Sequence, residues 1–140
     1  MTPVAMLTDA PTPEAERTIG EGLAGFSAAQ AGYRDSRKLA IVVTDTETGQ
    51  VIGGLTGRTS YGLLFIDIFF LPDSLRGQGL GGRILRLAED EARTRGCITA
   101  MLYTISFQAP GFYEKHGYRI FGSVECLPPG TSRIFMTKTL

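Results

Sequence analysis

The sequence predicts an α/β fold in a single domain spanning residues 1–140, with a mixed sheet flanked by helices. Three observations predict it. Short β-branched runs alternate with longer segments of helical period; one run, "LLFIDIFFLP" at 63–72, is apolar on both faces and reads as a central strand; and a glycine-rich loop joins that strand to the most amphipathic helix of the chain.

The elements follow in order. Thr12 reads as an N-cap with Pro13 at the first helical position and Glu14 and Glu16 in the first turn, so a helix starts there. Ala15, Ile19, Leu23 and Phe26 recur at helical spacing and predict one core-facing stripe. "KLAIVVTD", the turn "TETG" and "QVIGGLTGR" predict a hairpin over 38–58. "TSYG" turns the chain into the central strand, which Pro72 ends. From Leu80, the residues Leu80, Ile84, Leu87 and Ala88 give an apolar stripe, supported by Glu89 with Arg93 and Arg86 with Asp90 at i,i+4, and Gly96 stops the helix. "CITAMLYTI" is a further strand, "APGFYEKHG" a short helix, and "YRIFGSVE" and "SRIFMTKTL" a closing pair of strands.

A chain of 140 residues can bury a core without staples. Its formal net charge of zero leaves no electrostatic footprint for nucleic acid. Cys97 and Cys126 lack the spacing of a zinc site or a disulfide framework, and read as buried thiols in a reducing compartment. No metal is expected. The absence of a long apolar run predicts no membrane partner and a cytoplasmic protein.

The loop "RGQGLGG" at 76–82 poses the chemical question, because glycine in a helix costs about 1 kcal/mol relative to alanine. A bare helix start offers unpaired N–H groups and the positive end of the dipole to an anion. The segment from Arg76 to Ala88 holds no acid and carries Arg76, Arg83 and Arg86, which suits a phosphate. Close packing of a glycine turn against a neighbouring element would account for the same pattern.

The segment "FFLPDSLRGQGLGGRIL" resembles the acyl-CoA pyrophosphate loop of the GNAT superfamily of acyl-CoA-dependent N-acyltransferases, with Arg76, Gly79 and Gly81 at its signature positions. "SFQAPGFYEKHGY" resembles the second signature of that family: Ala109 and Tyr113 match, while Ser106 stands where Asn is usual, so that Ser106 or Gln108 would supply the corresponding hydrogen bond. The resemblance implies a mostly antiparallel GNAT-like sheet and an N-acetyltransferase that moves an acetyl group from acetyl-CoA, its acyl-donor co-substrate, to a primary amine of a small molecule or protein. It places the CoA phosphates on the backbone of Gly77, Gln78, Gly79, Leu80, Gly81 and Gly82. It places the pantetheine arm along the central strand near Phe69, Phe70 and Leu71, where that strand splays from its neighbour. The partners implied are acetyl-CoA and an amine acceptor; a homodimer is left open. The rival reading is a non-catalytic acyl-CoA-binding or sensing module.

Acetyl transfer needs a neutral amine, an oxyanion site and a proton for the departing thiolate. Asp67 is the one charge in the central run, and burial there would raise its pKa toward that of a general base; the competing role is to hold a backbone group or Arg58. Tyr113 stands where the resemblance places the proton donor to sulfur; packing beside Phe112 is its alternative role. His116, the only histidine, reads as structural, at the end of the short helix.

Overall fold

In the computed structural model, which describes residues 1–140, the chain divides into two compact units, Met1–Asp35 and Ser36–Leu140. The first contains helix α1, Pro13–Ala31, capped by Thr12, whose hydroxyl accepts from Ala15 N at 3.1 Å. Gly32 closes the helix in the left-handed conformation. No residue of α1 is buried, and Ile19, Leu23 and Phe26 are exposed. The predicted stripe exists but is not core: periodicity specifies a face and leaves open what covers it.

The second unit holds a six-stranded sheet in the order β1-β2-β3-β4-β6-β5, with β1 at Arg37–Thr44, β2 at Val51–Ser60, β3 at Leu63–Phe70, β4 at Thr99–Ile105, β5 at Arg119–Cys126 and β6 at Thr131–Thr139. All neighbours are antiparallel except β3 and β4, which are parallel and joined through helix α2, Leu80–Thr94. Helix α3, Pro110–Lys115, follows β4. This is the mixed, mostly antiparallel sheet expected, with each strand and helix where the sequence pattern puts it. No helix is long and apolar enough to cross a membrane.

The core lies between one face of the sheet and α2, where Leu55, Leu64, Ile66, Leu102 and Met136 meet Ile84, Leu85, Ala88 and Ala92. The buried stripe of α2 uses Leu85 where the sequence pattern selects Leu87, which is exposed. Glu89 turns inward too: it is only 2% exposed, accepts from Tyr118 Oη at 2.8 Å, and pairs with Lys138 Nζ at 3.0 Å. The predicted Glu89 to Arg93 pair is therefore absent, and Arg93 bridges to Asp90 instead at 2.9 Å. A buried carboxylate needs compensating hydrogen bonds and a cation, and β6 and the strand end at Tyr118 supply them. Burial, reinforced by the Glu89 carboxylate, pushes the Tyr118 phenol well above its ordinary pKa. Cys97 is buried, whereas Cys126 is only partly so.

The central strand departs from expectation in its second half. Leu64 and Ile66 are buried, but Ile68 is 61% and Phe70 53% exposed. Two irregularities explain the change. Gly57 pairs with Ile66 and Thr56 with Ile68, so Asp67 is an extra residue that bulges β3. The parallel ladder to β4 also stops at Ile66 with Leu102, although both strands continue.

Candidate active site

Past Ile66 the edge that β3 presents to β4 has no partner strand, and the two strands diverge around a cleft of about 970 Å³. One wall is β3 from Ile66 to Phe70 with the following Leu71, and the other is β4 from Leu102 to Ile105. The start of α2 closes one end, and Phe112, Tyr113 and His116 of α3 complete the lining. Phe69, Phe70 and Leu71 thus stand at the splayed edge the resemblance implies, with backbone groups free of any ladder on that side.

The helix start has the bare geometry the glycines predict. Gly79 caps α2 at φ +80°, a left-handed conformation that disfavours any residue with a Cβ, and it makes no side-chain cap. The first helical hydrogen bond runs from Arg83 N to Gly79 O at 3.2 Å, which leaves the N–H groups of Leu80, Gly81 and Gly82 ahead of the ladder. Space around Gly77 and Gly79 is open. Gly81 and Gly82 answer a second demand, since a Cβ on Gly81 would lie 3.1 Å from the Phe112 ring and one on Gly82 2.7 Å from His116 Cε1. Open space at Gly77 and Gly79 and close packing at Gly81 and Gly82 thus occur in the same run.

Arg76 holds the loop against the strand end. Its Nε donates to Leu71 O at 2.8 Å and its guanidinium meets Asp73 at 2.9 Å. The Leu71 carbonyl is therefore engaged. Gln78, Leu80 and Ser106 fall outside the cleft lining, whereas Gly77, Gly79, Gly81, Gly82 and Gln108 belong to it. Gln78 donates to Ser74 O at 3.3 Å, and Ser106 Oγ accepts from Ser132 N at 3.1 Å. Gln108 spends its carbonyl oxygen on Ile105 N at 2.9 Å and Thr104 Oγ1 at 3.2 Å, closing the end of β4.

Tyr113 is 8% exposed, packed among Phe69, Phe112 and Tyr118 at ring separations of 6.5, 5.2 and 5.9 Å. Its side chain belongs to the core and also lines the cleft. No hydrogen bond within the protein occupies its hydroxyl, which is not sealed from solvent. Burial pushes the phenol up to about 12, so it is protonated throughout the neutral range.

Asp67 lines the cleft as its only carboxylate. It is exposed where the sequence reading expects burial: strand alternation sets it on the face opposite the core residues Leu64 and Ile66, and in the register with β2 it is the extra, bulged residue. It forms no ion pair with Arg58, whose guanidinium lies 4.7 Å over the Phe65 ring. His116 reaches the cleft as well, its ring tilted against that of Phe112 with centroids 4.8 Å apart. The sequence reads it as structural, and only the contact between α2 and α3 brings it to the cleft. Arg133, on the distant strand β6, also lines the cleft and carried no sequence signal.

The sequence model of the Acetyltransferase (GNAT) family matches residues 7–118. An acetyltransferase of Agrobacterium fabrum is 36% identical over 133 residues, covering 95% of this chain and 96% of its own. Blasticidin-S acetyltransferase of Streptomyces morookaense is 38% identical over 109 residues, covering 76% of this chain and 80% of its own. A crystal structure of an acetyltransferase from Agrobacterium tumefaciens superposes with a TM-score of 0.88 at 35% identity, covering 98% of this chain and 99% of that one.

Proposed function

The chain belongs to the Acetyltransferase (GNAT) family, and from that premise we propose that it transfers the acetyl group of acetyl-CoA to a primary amine in the cleft where β3 and β4 part. The observation that carries this reading is the unpaired edge of β3 beyond Ile66, leading directly to the bare start of α2. An extended arm with amide groups can pair with such an edge as an added strand would, while phosphates meet the N–H groups of Leu80 to Gly82. Both halves of the donor then have partners of matching chemistry.

The amine attacks the thioester carbonyl carbon, and the backbone N–H groups of β3 beyond Ile66 are the donors within reach of the developing oxyanion. As the carbon–sulfur bond breaks, the electron pair goes to sulfur and Tyr113 gives it a proton, which the phenolate regains from solvent before the next turnover. The protonated phenol, free of internal hydrogen bonds, supports this role. Asp67 receives the proton the amine loses, directly or through water. Its exposure supports exchange with solvent after each turnover.

The test is incubation of the full chain with acetyl-CoA and a panel of amines, following free thiol. Release of thiol that requires an amine, with the acetylated product found by mass, is expected; CoA binding without amine-dependent thiol release would identify a non-catalytic binding module instead.

A further inference from the structure

The three arginines that line the cleft are not equivalent. Arg76 is spoken for by Leu71 O and Asp73. Arg86 lies on α2 against Gly82, its Nη1 3.3 Å from where a Cβ would stand on that glycine, and so belongs to the helix-start end. Arg133 is different. It sits on β6, directly opposite Ile105 on β4 and Val124 on β5, neither of them an acid; Glu125, the acid of β5, pairs with the adjacent Ser132. No hydrogen bond or ion pair within the protein occupies its guanidinium. The cleft near it is lined by the exposed aromatic rings of Tyr103 and Phe107.

We infer that Arg133 is a specificity-determining residue, and that the amine acetylated here carries an anionic group, carboxylate or phosphate, at the end remote from its nitrogen. The inference rests on the reading of the cleft as the site of amine acetylation. An arginine fork recognises either anion through paired charge-assisted hydrogen bonds, and it does so most selectively where no internal acid competes for it. Asp67, the only acid of the cleft, follows Ile66 and is level with Tyr103, whereas Arg133 lies two strands across and further along β6. Two strand spacings and two residues of rise set their backbones about 12 Å apart, and the divergence of β3 from β4 widens this. That separation suits an acceptor whose amine and anion stand at opposite ends of a flat or extended body, with Tyr103 and Phe107 alongside.

The matched probes are 4-(aminomethyl)benzoate, 4-(aminomethyl)phenylphosphonate and the neutral 4-(aminomethyl)benzamide, assayed with the full chain and acetyl-CoA. The expected result is a kcat/KM at least tenfold higher for one or both acids than for the amide, carried in KM; which acid leads distinguishes a carboxylate from a phosphate acceptor. In Arg133→Gln that ratio falls to near one while KM for acetyl-CoA holds, and Arg133→Lys recovers part of it. Equal use of acids and amide, or a preference that survives in Arg133→Gln, overturns the inference and leaves the acetyltransferase reading intact. A raised KM for acetyl-CoA in Arg133→Gln with acceptor preference unchanged also overturns it, by moving Arg133 to the donor side. If no amine in the set or in a broad panel is acetylated, the functional reading fails and the inference falls with it.

Discussion

Gly82 lies so close under His116 that a Cβ on it would stand 2.7 Å from the imidazole Cε1. The contact joins α2 to α3 and holds the helix start against the lining of the cleft. Two effects oppose each other in Gly82→Ala. Helix propensity favours alanine by about 1 kcal/mol, while overpacking typically costs about 1 to 3 kcal/mol. Displacing an imidazole packed against Phe112, with ring centroids 4.8 Å apart, makes the second effect the larger. Gly82→Ala should therefore lower the denaturation midpoint, and the same change in a His116→Ala background should raise it. A like sign in both backgrounds, measured by urea unfolding, would contradict the packing account.

Tyr113→Phe removes a proton donor and keeps the ring packed on Phe69, Phe112 and Tyr118. Turnover should fall at least roughly tenfold with little change in the affinity for acetyl-CoA, because the loss lies in the transition state. Steady-state rates equal to the parent would return Tyr113 to a purely packing role.

The same phenol makes stability depend on alkaline pH. Its folded-state value of about 12 lies above the ~10 of an unfolded tyrosine, so the unfolded chain releases its proton first. The contribution to stability is complete below pH ~10 and is lost as pH rises through about 12. Tyr118, raised in the same direction, adds to the effect. Chemical denaturation at stepped pH should show a stability loss above pH ~10 that is shallower in Tyr113→Phe; identical slopes in parent and variant would refute the assignment.

Asp67→Asn preserves the bulge and removes the carboxylate. General-base help is worth roughly 10²- to 10⁴-fold, so kcat should drop within that range while CoA binding persists. A variant within about threefold of the parent would show that the amine proton leaves to water alone.

Much of this architecture is legible in the sequence because local patterns determine it. Thr12 and Pro13 start α1, Gly79 and Gly96 bound α2, and the hairpin residues alternate as strands do. What escapes the sequence depends on partners distant in the chain. Nothing local in "LLFIDIFFLP" says that β4 leaves the ladder after Ile66, or that Asp67 is the bulged residue. Glu89 looks like half of a surface pair until Lys138 and Tyr118 arrive from the far end of the chain. Arg133 reaches the cleft only because β6 pairs with β4, a neighbour chosen by topology. The stripe of α1 is legible as a pattern, yet its exposure is not.

The central claim is that the gap between β3 and β4 receives the donor, with its arm on the edge beyond Ile66 and its phosphates at the start of α2. Residue-resolved amide hydrogen exchange with and without CoA tests it most directly. Slowed exchange confined to the end of β3 and the residue after it, from Asp67 to Leu71, and to the loop from Gly77 to Gly82 is the predicted result. CoA binding that leaves both segments unprotected, or protects a different surface, would contradict it.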